Sequence, residues 1–134
     1  MSEKARARVL YSGADEEGNL KYWYAETLWK AAETAEVQEL PLTALDLLDE
    51  VVWFGGHQDL QPTVRRVAHR ARDIFQADLT FPIIKIRGGE VIDGAHRVAR
   101  AYLEGRSHIK VAILDDYPTP DGIISSDFPG IAAP

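Results

Sequence analysis

The feature that most constrains this fold is an unbroken succession of local structural signals between Phe81 and Leu114. Two apolar runs, FPIIKIR and EVI, flank the dipeptide Gly88-Gly89, a pattern that predicts two strands joined by a hairpin turn. An alanine-rich amphipathic helix is predicted next, from Ala95 to Leu103. The apolar run Ile109 to Leu114 then suits a strand in the middle of a sheet. This order predicts a single α/β domain built on a mixed α+β sheet.

Three parts of the chain differ in composition. Residues 1–20 are polar and contain glycine, so we expect a flexible N-terminal arm. Residues 21–116 are expected to form the domain, which begins with a helix at Lys21 because apolar residues recur there at helical spacing. Residues 117–134 are rich in proline and predict an irregular tail that lies along the surface or reaches a neighbouring subunit.

Between these ends, Val37 to Leu42 predicts a short strand that Pro41 restricts to the sheet edge or terminates. The segment TALDLLDEVVWF predicts a short helix running into an apolar strand. A long helix is expected to open at Pro62 or Thr63, because PTVRRVAHRARDIFQ combines one apolar stripe with arginines on the remaining surface.

Composition excludes several classes of function. The chain has no cysteine, which excludes disulfides, a thiolate nucleophile and cysteine-type zinc sites. It has no apolar run of signal-peptide or membrane-spanning length, so a cytoplasmic protein without membrane contact is expected. The net charge of −6 argues against a surface that coats nucleic acid.

Charge is distributed unevenly along the sequence. Residues 61–110 carry 10 basic and 5 acidic side chains, whereas both flanking parts are acidic. An anionic ligand is therefore expected at this middle part, with intramolecular pairing of acidic ends and basic middle as the alternative.

The pentapeptide from Asp93 to Arg97 (DGAHR) is the candidate ligand site. Gly94 allows a sharp turn from strand to helix, and it leaves no side chain between the backbone amides and a ligand. His96 and Arg97 then fall in the first helical turn, where N–H groups and the helix dipole favour an anion. Asp93 has two interpretations: a magnesium ligand, or an N-cap residue in a purely structural site.

The motif in its context resembles the ParB/sulfiredoxin-like domain. The resemblance rests on VQELPL, the basic helix, FPIIKI, and VIDGAHR with the helix and strand that follow, and it covers roughly residues 36–116. It implies a small α/β fold, here with an added N-terminal helix, that binds a nucleoside di- or triphosphate at the DGAHR turn. Ala95 stands where sulfiredoxins carry their cysteine, which excludes their chemistry.

Within this resemblance, the turn is most similar to that of free serine kinases. They place an acidic general base after the first strand, in a stretch where this sequence has Asp49 and Glu50. The resulting hypothesis is a nucleotide-binding phosphotransferase or nucleotide hydrolase that acts on a small hydroxyl substrate with Mg²⁺ and ATP, ADP or CTP. The phosphate-binding candidates are Asp93, Gly94, Ala95, His96, Arg97, Arg65, Arg66 and Arg70; Asp93 is also the metal candidate, and Glu50 and Asp49 are the catalytic ones.

Plainer interpretations of the same residues stay open. The arginines at 65, 66 and 70 can be an exposed helix face, and the two acidic residues a solvated one. The alternative function is a non-catalytic ParB-like module in a DNA-associated or regulatory complex, touching DNA only indirectly. The aromatic residues Tyr22, Trp23, Tyr24 and Trp29 are expected to pack the N-terminal helix on the core, with base stacking or a homodimer contact as alternatives.

Overall fold

The computed structural model describes residues 9–12, 15–55 and 60–125. These ranges contain three α-helices and two β-sheets and belong to the mixed α+β class. The helices are α1 (Ala25–Ala32), α2 (Val64–Phe75) and α3 (Ala95–Leu103). The strands are β1 (Val9–Tyr11), β2 (Leu20–Tyr24), β3 (Glu36–Pro41), β4 (Ile83–Ile86), β5 (Val91–Asp93), β6 (His108–Leu114) and β7 (Gly122–Ile124).

The larger sheet has the strand order β3-β6-β4-β5. Strand β6 lies between β3, which it meets antiparallel, and β4, which it meets parallel. Its predicted central position is confirmed, and so are the edge position of β3 and the hairpin of β4 and β5 around Gly88-Gly89. Helix α3 connects the edge strand β5 to the central strand β6, so that β5 and α3 together form the crossover between the parallel strands β4 and β6.

Alternating side chains of the strands fill two separate cores. In β4, Ile83 belongs to one core with Val98 of α3, while Ile84 belongs to the other core with Trp23 and Leu28. This division follows from the strand period of two, which sends successive residues to opposite faces. The larger sheet is therefore covered on one face by α3 and on the other by α1 and β2.

Helix α2 has the predicted position but a different environment from the one its apolar stripe suggests. The Thr63 side chain caps it by accepting a hydrogen bond from the backbone N–H of Arg66 at 3.2 Å. None of its residues is buried, because it packs on α3 rather than directly on the sheet. The apolar stripe of α2 is therefore covered only in part.

The smaller sheet corrects the expectation at Lys21. Residues 20–24 form β2, which pairs antiparallel with β1 and β7, and the helix begins only at Ala25. Trp23 is buried in β2 while its two neighbours are not, which is strand alternation. Tyrosine and tryptophan fit a pleated, half-buried surface, so strand pairing prevailed over local helix propensity.

Strands β1 and β7 lie within the predicted arm and the predicted tail. The tail expectation of irregular structure is therefore wrong for residues 122–124, and residues 9–11 of the predicted arm form a strand. The rest of both ends, residues 1–8, 13–14 and 126–134, is outside the described ranges. The segment after β3 forms two short 3-10 helices, Leu42–Ala44 and Asp46–Asp49, and the strand expected after them is absent from residues 51–54.

Within the described ranges, no helix combines the length and the apolar character that crossing a membrane would need.

Candidate functional site

The turn from β5 into α3 depends on a glycine. Gly94 has a φ of +122°, and a Cβ at this position would lie 2.5 Å from Cγ2 of Ile83. Both the backbone angle and the close approach exclude a side chain here. The N–H groups of the first turn of α3, which have no partner inside the helix, therefore follow directly after strand β5.

Asp93 does not cap this helix, because the N-cap residue is Gly94. The Asp93 carboxylate is buried, and its Oδ2 accepts a hydrogen bond from Nε1 of Trp29 at 3.1 Å and lies 3.7 Å from a guanidinium nitrogen of Arg97. The N-cap expectation for Asp93 is therefore wrong. The observed contacts tie α1 to the start of α3 through this carboxylate.

His96 lies in a cluster with two charged side chains and an aromatic ring. Its Nε2 is 3.4 Å from NH1 of Arg70 and 3.9 Å from Oδ2 of Asp73. The ring of Trp53 stacks on the imidazole with centroids 4.9 Å apart and an interplanar angle of 20°, and the Arg70 guanidinium lies 5.7 Å from the Trp53 ring centroid. These contacts fix a cation and an imidazole next to the first turn of α3.

Trp53 is a site residue that sequence reasoning missed. It follows an apolar run, a pattern that predicts a strand and not a site residue. An aromatic residue that comes shortly before a glycine pair, where a loop is predicted, could nevertheless have indicated a site residue.

A cleft of about 1080 Å³ opens in front of this cluster. Its walls come from the first turn of α3, the segment around Glu50, strands β1 and β2, and residues 116–120. Six predicted site residues line it: Glu50, Arg70, Asp93, Gly94, Ala95 and His96. The sequence separates these residues by up to 46 positions, so only the tertiary fold gathers them.

The charge lining the cleft has both signs. Its acidic side chains are Glu50, Glu90, Asp93 and Asp116, and its basic ones are Lys21 and Arg70. The imidazole of His96 also lines the cleft. Arg70 and His96 lie at the N-terminal end of α3, where the helix dipole favours an anion, and the carboxylates of Asp73 and Asp93 lie at the same end.

Four other predicted residues lie elsewhere in the described structure. Arg97 is not part of this cleft lining: its NH1 donates to the carbonyl oxygen of Pro82 at 3.3 Å, and it lines a pocket of about 450 Å³ together with Arg70, Gly94 and His96. Arg65 and Arg66 line a separate pocket of about 380 Å³, which Arg70 and Trp53 share with them. Asp49, at the end of the second 3-10 helix, is exposed and is not part of the described cleft lining.

Asp93, the predicted magnesium ligand, has protein side chains as partners in this structure. The described ranges contain no group of three or more histidine, aspartate or glutamate side chains arranged to hold a metal ion. Asp93, the candidate ligand, already accepts the Trp29 indole and faces a guanidinium. This carboxylate is therefore engaged by an indole donor and a nearby guanidinium.

Comparison of the chain with protein-family models, with curated proteins and with solved structures found no match. The cleft and its residues are therefore the basis for assigning a function.

Proposed function

We propose that the cleft binds a nucleoside phosphate, with the phosphates at the first turn of α3 and the acceptor of a phosphoryl group near Glu50. The observation that carries the proposal is the presence of Glu50, Arg70, Gly94, Ala95 and His96 in one cleft. Phosphoryl transfer needs positioning, positive charge on the transferring group and a carboxylate near the nucleophile, and residues of these types line the cleft.

The first turn of α3 supplies backbone donors, and Arg70 supplies a planar guanidinium that matches phosphate oxygens. Trp53 supports this arrangement because it contacts both Arg70 and His96 and thereby limits their rotamers. The resemblance to ParB/sulfiredoxin-like domains, and to free serine kinases within them, supports the same ligand class and is part of the proposal.

Glu50 is the candidate general base, and Asp49 is the second choice because it is outside the cleft lining. An exposed carboxylate on a cleft wall can accept the proton of a substrate hydroxyl as the oxygen attacks the terminal phosphorus. The bond from this phosphorus to its bridging oxygen breaks, and the nucleotide leaves with one phosphate fewer. Water in place of the hydroxyl compound gives nucleotide hydrolysis. A magnesium ion that accompanies the nucleotide would neutralise part of the charge on its phosphates.

Binding is tested by calorimetric titration with ATP, ADP and CTP, each with magnesium. We expect saturable binding of at least one nucleotide, weakened about 10- to 100-fold by Arg70→Ala because a hydrogen bond to a charged group contributes about 1.5–3 kcal/mol. Arg106→Ala is the matched control, since Arg106 lies beyond the opposite end of α3 and pairs with Glu104. The proposal is refuted if both variants lose the same affinity, or if the wild-type protein binds none of the three nucleotides.

Catalysis is tested separately by following label from the terminal phosphate into serine and related alcohols. Transfer that is abolished in Glu50→Gln, with nucleotide affinity retained, supports the general-base role of this residue. Binding without transfer or hydrolysis instead supports the non-catalytic module, and a salt-sensitive complex with DNA would favour its DNA-associated form.

A further inference from the structure

Helix α2 presents a second face on which Val64, Ala68 and Phe75 are exposed and Ala71 is partly covered. Val64 is 89% exposed and Phe75 is 65% exposed, although both are apolar. With Ala68 and Ala71 between them, they recur at spacings of four, three and four residues. This is the spacing of a seam along which one helix packs on another. We call these four residues the α2 seam.

The α2 seam is distinct from the face that α2 uses inside the domain. Arg70 and Asp73 are partly covered, and both approach His96 of α3. Around a helix with 3.6 residues per turn, these positions lie on the other side from Val64 and Phe75. A helix that packs with one face and leaves an apolar seam on the other has room for a second partner.

Charge beside the seam indicates what kind of partner. Arg65 and Arg72 each follow a seam residue by one position and are separated by one heptad, so both flank the same side of the seam. Both are exposed. Residues at such flanking positions select partners by charge, and two arginines select acidic side chains.

We propose that the α2 seam binds an amphipathic helix of a partner protein whose own apolar seam is flanked by acidic residues. A second copy of this chain is a poorer occupant, because antiparallel pairing of two α2 helices brings Arg65 of one copy near Arg72 of the other. Nucleic acid also fits the seam less well, because its phosphates would pair with the arginines but would leave Val64 and Phe75 against a charged backbone.

The proposal is tested with two dye-labelled synthetic helical peptides of about three heptads. Both carry leucine at seam spacing; one has glutamate at the flanking positions and the other has lysine. Fluorescence anisotropy should show saturable binding of the glutamate peptide and at least tenfold weaker binding of the lysine peptide. Phe75→Ser should weaken binding of the glutamate peptide about tenfold or more, as expected for a large apolar anchor.

A charge exchange is the most specific part of the experiment. Arg65→Glu combined with Arg72→Glu should reverse the preference, so that the lysine peptide binds better than the glutamate peptide. Val37→Ser is the matched control, because Val37 is 52% exposed on β3, away from α2. Circular dichroism confirms that each variant is folded.

Several results overturn the proposal. They are equal affinity for both peptides, no reversal in the charge-exchanged protein, or equal loss in Phe75→Ser and Val37→Ser. Sedimentation as a dimer that Phe75→Ser dissociates would assign the seam to a second copy. DNA binding that is lost with the arginines and unchanged in Phe75→Ser would assign this face to nucleic acid.

Discussion

Replacing Gly94 with alanine tests whether the turn at the head of α3 is as constrained as the geometry indicates. The added Cβ would lie 2.5 Å from Cγ2, 2.7 Å from Cβ and 3.2 Å from Cα of Ile83. Ile83 is fully buried in the middle of the larger sheet, so neither the side chain nor the strand has space to move. The φ of +122° adds backbone strain that does not depend on the contact.

The two costs can be estimated separately. A non-glycine residue in a sparsely populated backbone region costs about 1–3 kcal/mol. Forcing an extra methyl group into a packed core costs about 1–3 kcal/mol. The sum, about 2–6 kcal/mol, is a large part of the roughly 5–15 kcal/mol that stabilises a domain of ordinary size. We therefore expect the free energy of unfolding to fall by at least about 2 kcal/mol in Gly94→Ala.

Urea unfolding followed by tryptophan fluorescence measures this change. Gly105→Ala is the matched control, because Gly105 has a φ of +72° but no neighbouring atom within 4 Å of the point that its Cβ would occupy. Backbone strain alone predicts a loss of about 1–2 kcal/mol in that variant. The reasoning is refuted if Gly94→Ala loses no more stability than Gly105→Ala, since the contact with Ile83 would then have no measurable cost.

Three further predictions concern contacts between distant parts of the chain. Asp121→Ala should lower the free energy of unfolding by about 1 kcal/mol, because this carboxylate accepts hydrogen bonds from the backbone N–H of Tyr24 and the hydroxyl of Thr27 at the start of α1. Trp29→Phe should cost about 1–3 kcal/mol, because it removes the indole donor from the buried Asp93 carboxylate. Arg87→Met should raise the pKa of Glu36 measured by NMR, because a hydrogen bond from Gln38 and then one from the Arg87 guanidinium hold that pKa below its ordinary value.

Each of these has a control and a contrary outcome. Asp116→Ala matches Asp121→Ala, since Asp116 accepts a local hydrogen bond from the backbone N–H of Tyr117, and equal losses would contradict the capping role. Trp53→Phe is the control for Trp29→Phe, because Trp53 contacts His96 and Arg70 through its ring face. A larger fall in the free energy of unfolding in Trp53→Phe than in Trp29→Phe would count against the Asp93 contact. The pKa of Glu36 should stay unchanged in Lys110→Met.

The sign of the pH dependence at Glu36 follows from the lowered pKa. The unfolded chain binds a proton at this group more readily than the folded chain does, so the carboxylate stabilises the fold above its unfolded pKa. This contribution is lost as the pH falls through the folded pKa. Arg87→Met should bring the folded and unfolded pKa of Glu36 closer together, so that less stability is lost between them as the pH falls. If the free energy of unfolding depends on pH in the same way in the variant and in the wild type at acidic pH, this reasoning is contradicted.

Much of the fold was predictable because its signals are local. Helix α2 with its Thr63 cap, the β4 hairpin around Gly88-Gly89, and the central strand β6 follow from periodicity, turn residues and apolar runs that lie within a few positions of one another. The errors lie where pairing is non-local. Strand β2 pairs with β7, which lies about 100 positions away in sequence, and no local pattern announces such a partner.

The candidate site divides in the same way. Gly94 and His96 were predictable, because a glycine turn before an amphipathic segment places its residues at a helix N-terminus by local geometry alone. The orientation of Arg97 was not, because its guanidinium is directed by Asp93 and by the carbonyl oxygen of Pro82. Among the arginines of α2, only packing against α3 separates Arg70, which faces the cleft, from the rest.

The amino-acid sequence by itself therefore determined the α+β class, the order of the elements from α2 to β6 and the chemical types of the candidate site residues. These depend on hydrophobic period, backbone freedom at glycine and side-chain chemistry, all of which are properties of short segments. Only the tertiary structure decided that β1 and β7 complete a second sheet, that Trp53 stacks on His96, and which charges share the cleft. The physical reason is that burial and pairing energies depend on contacts between segments, whereas propensity is set within them.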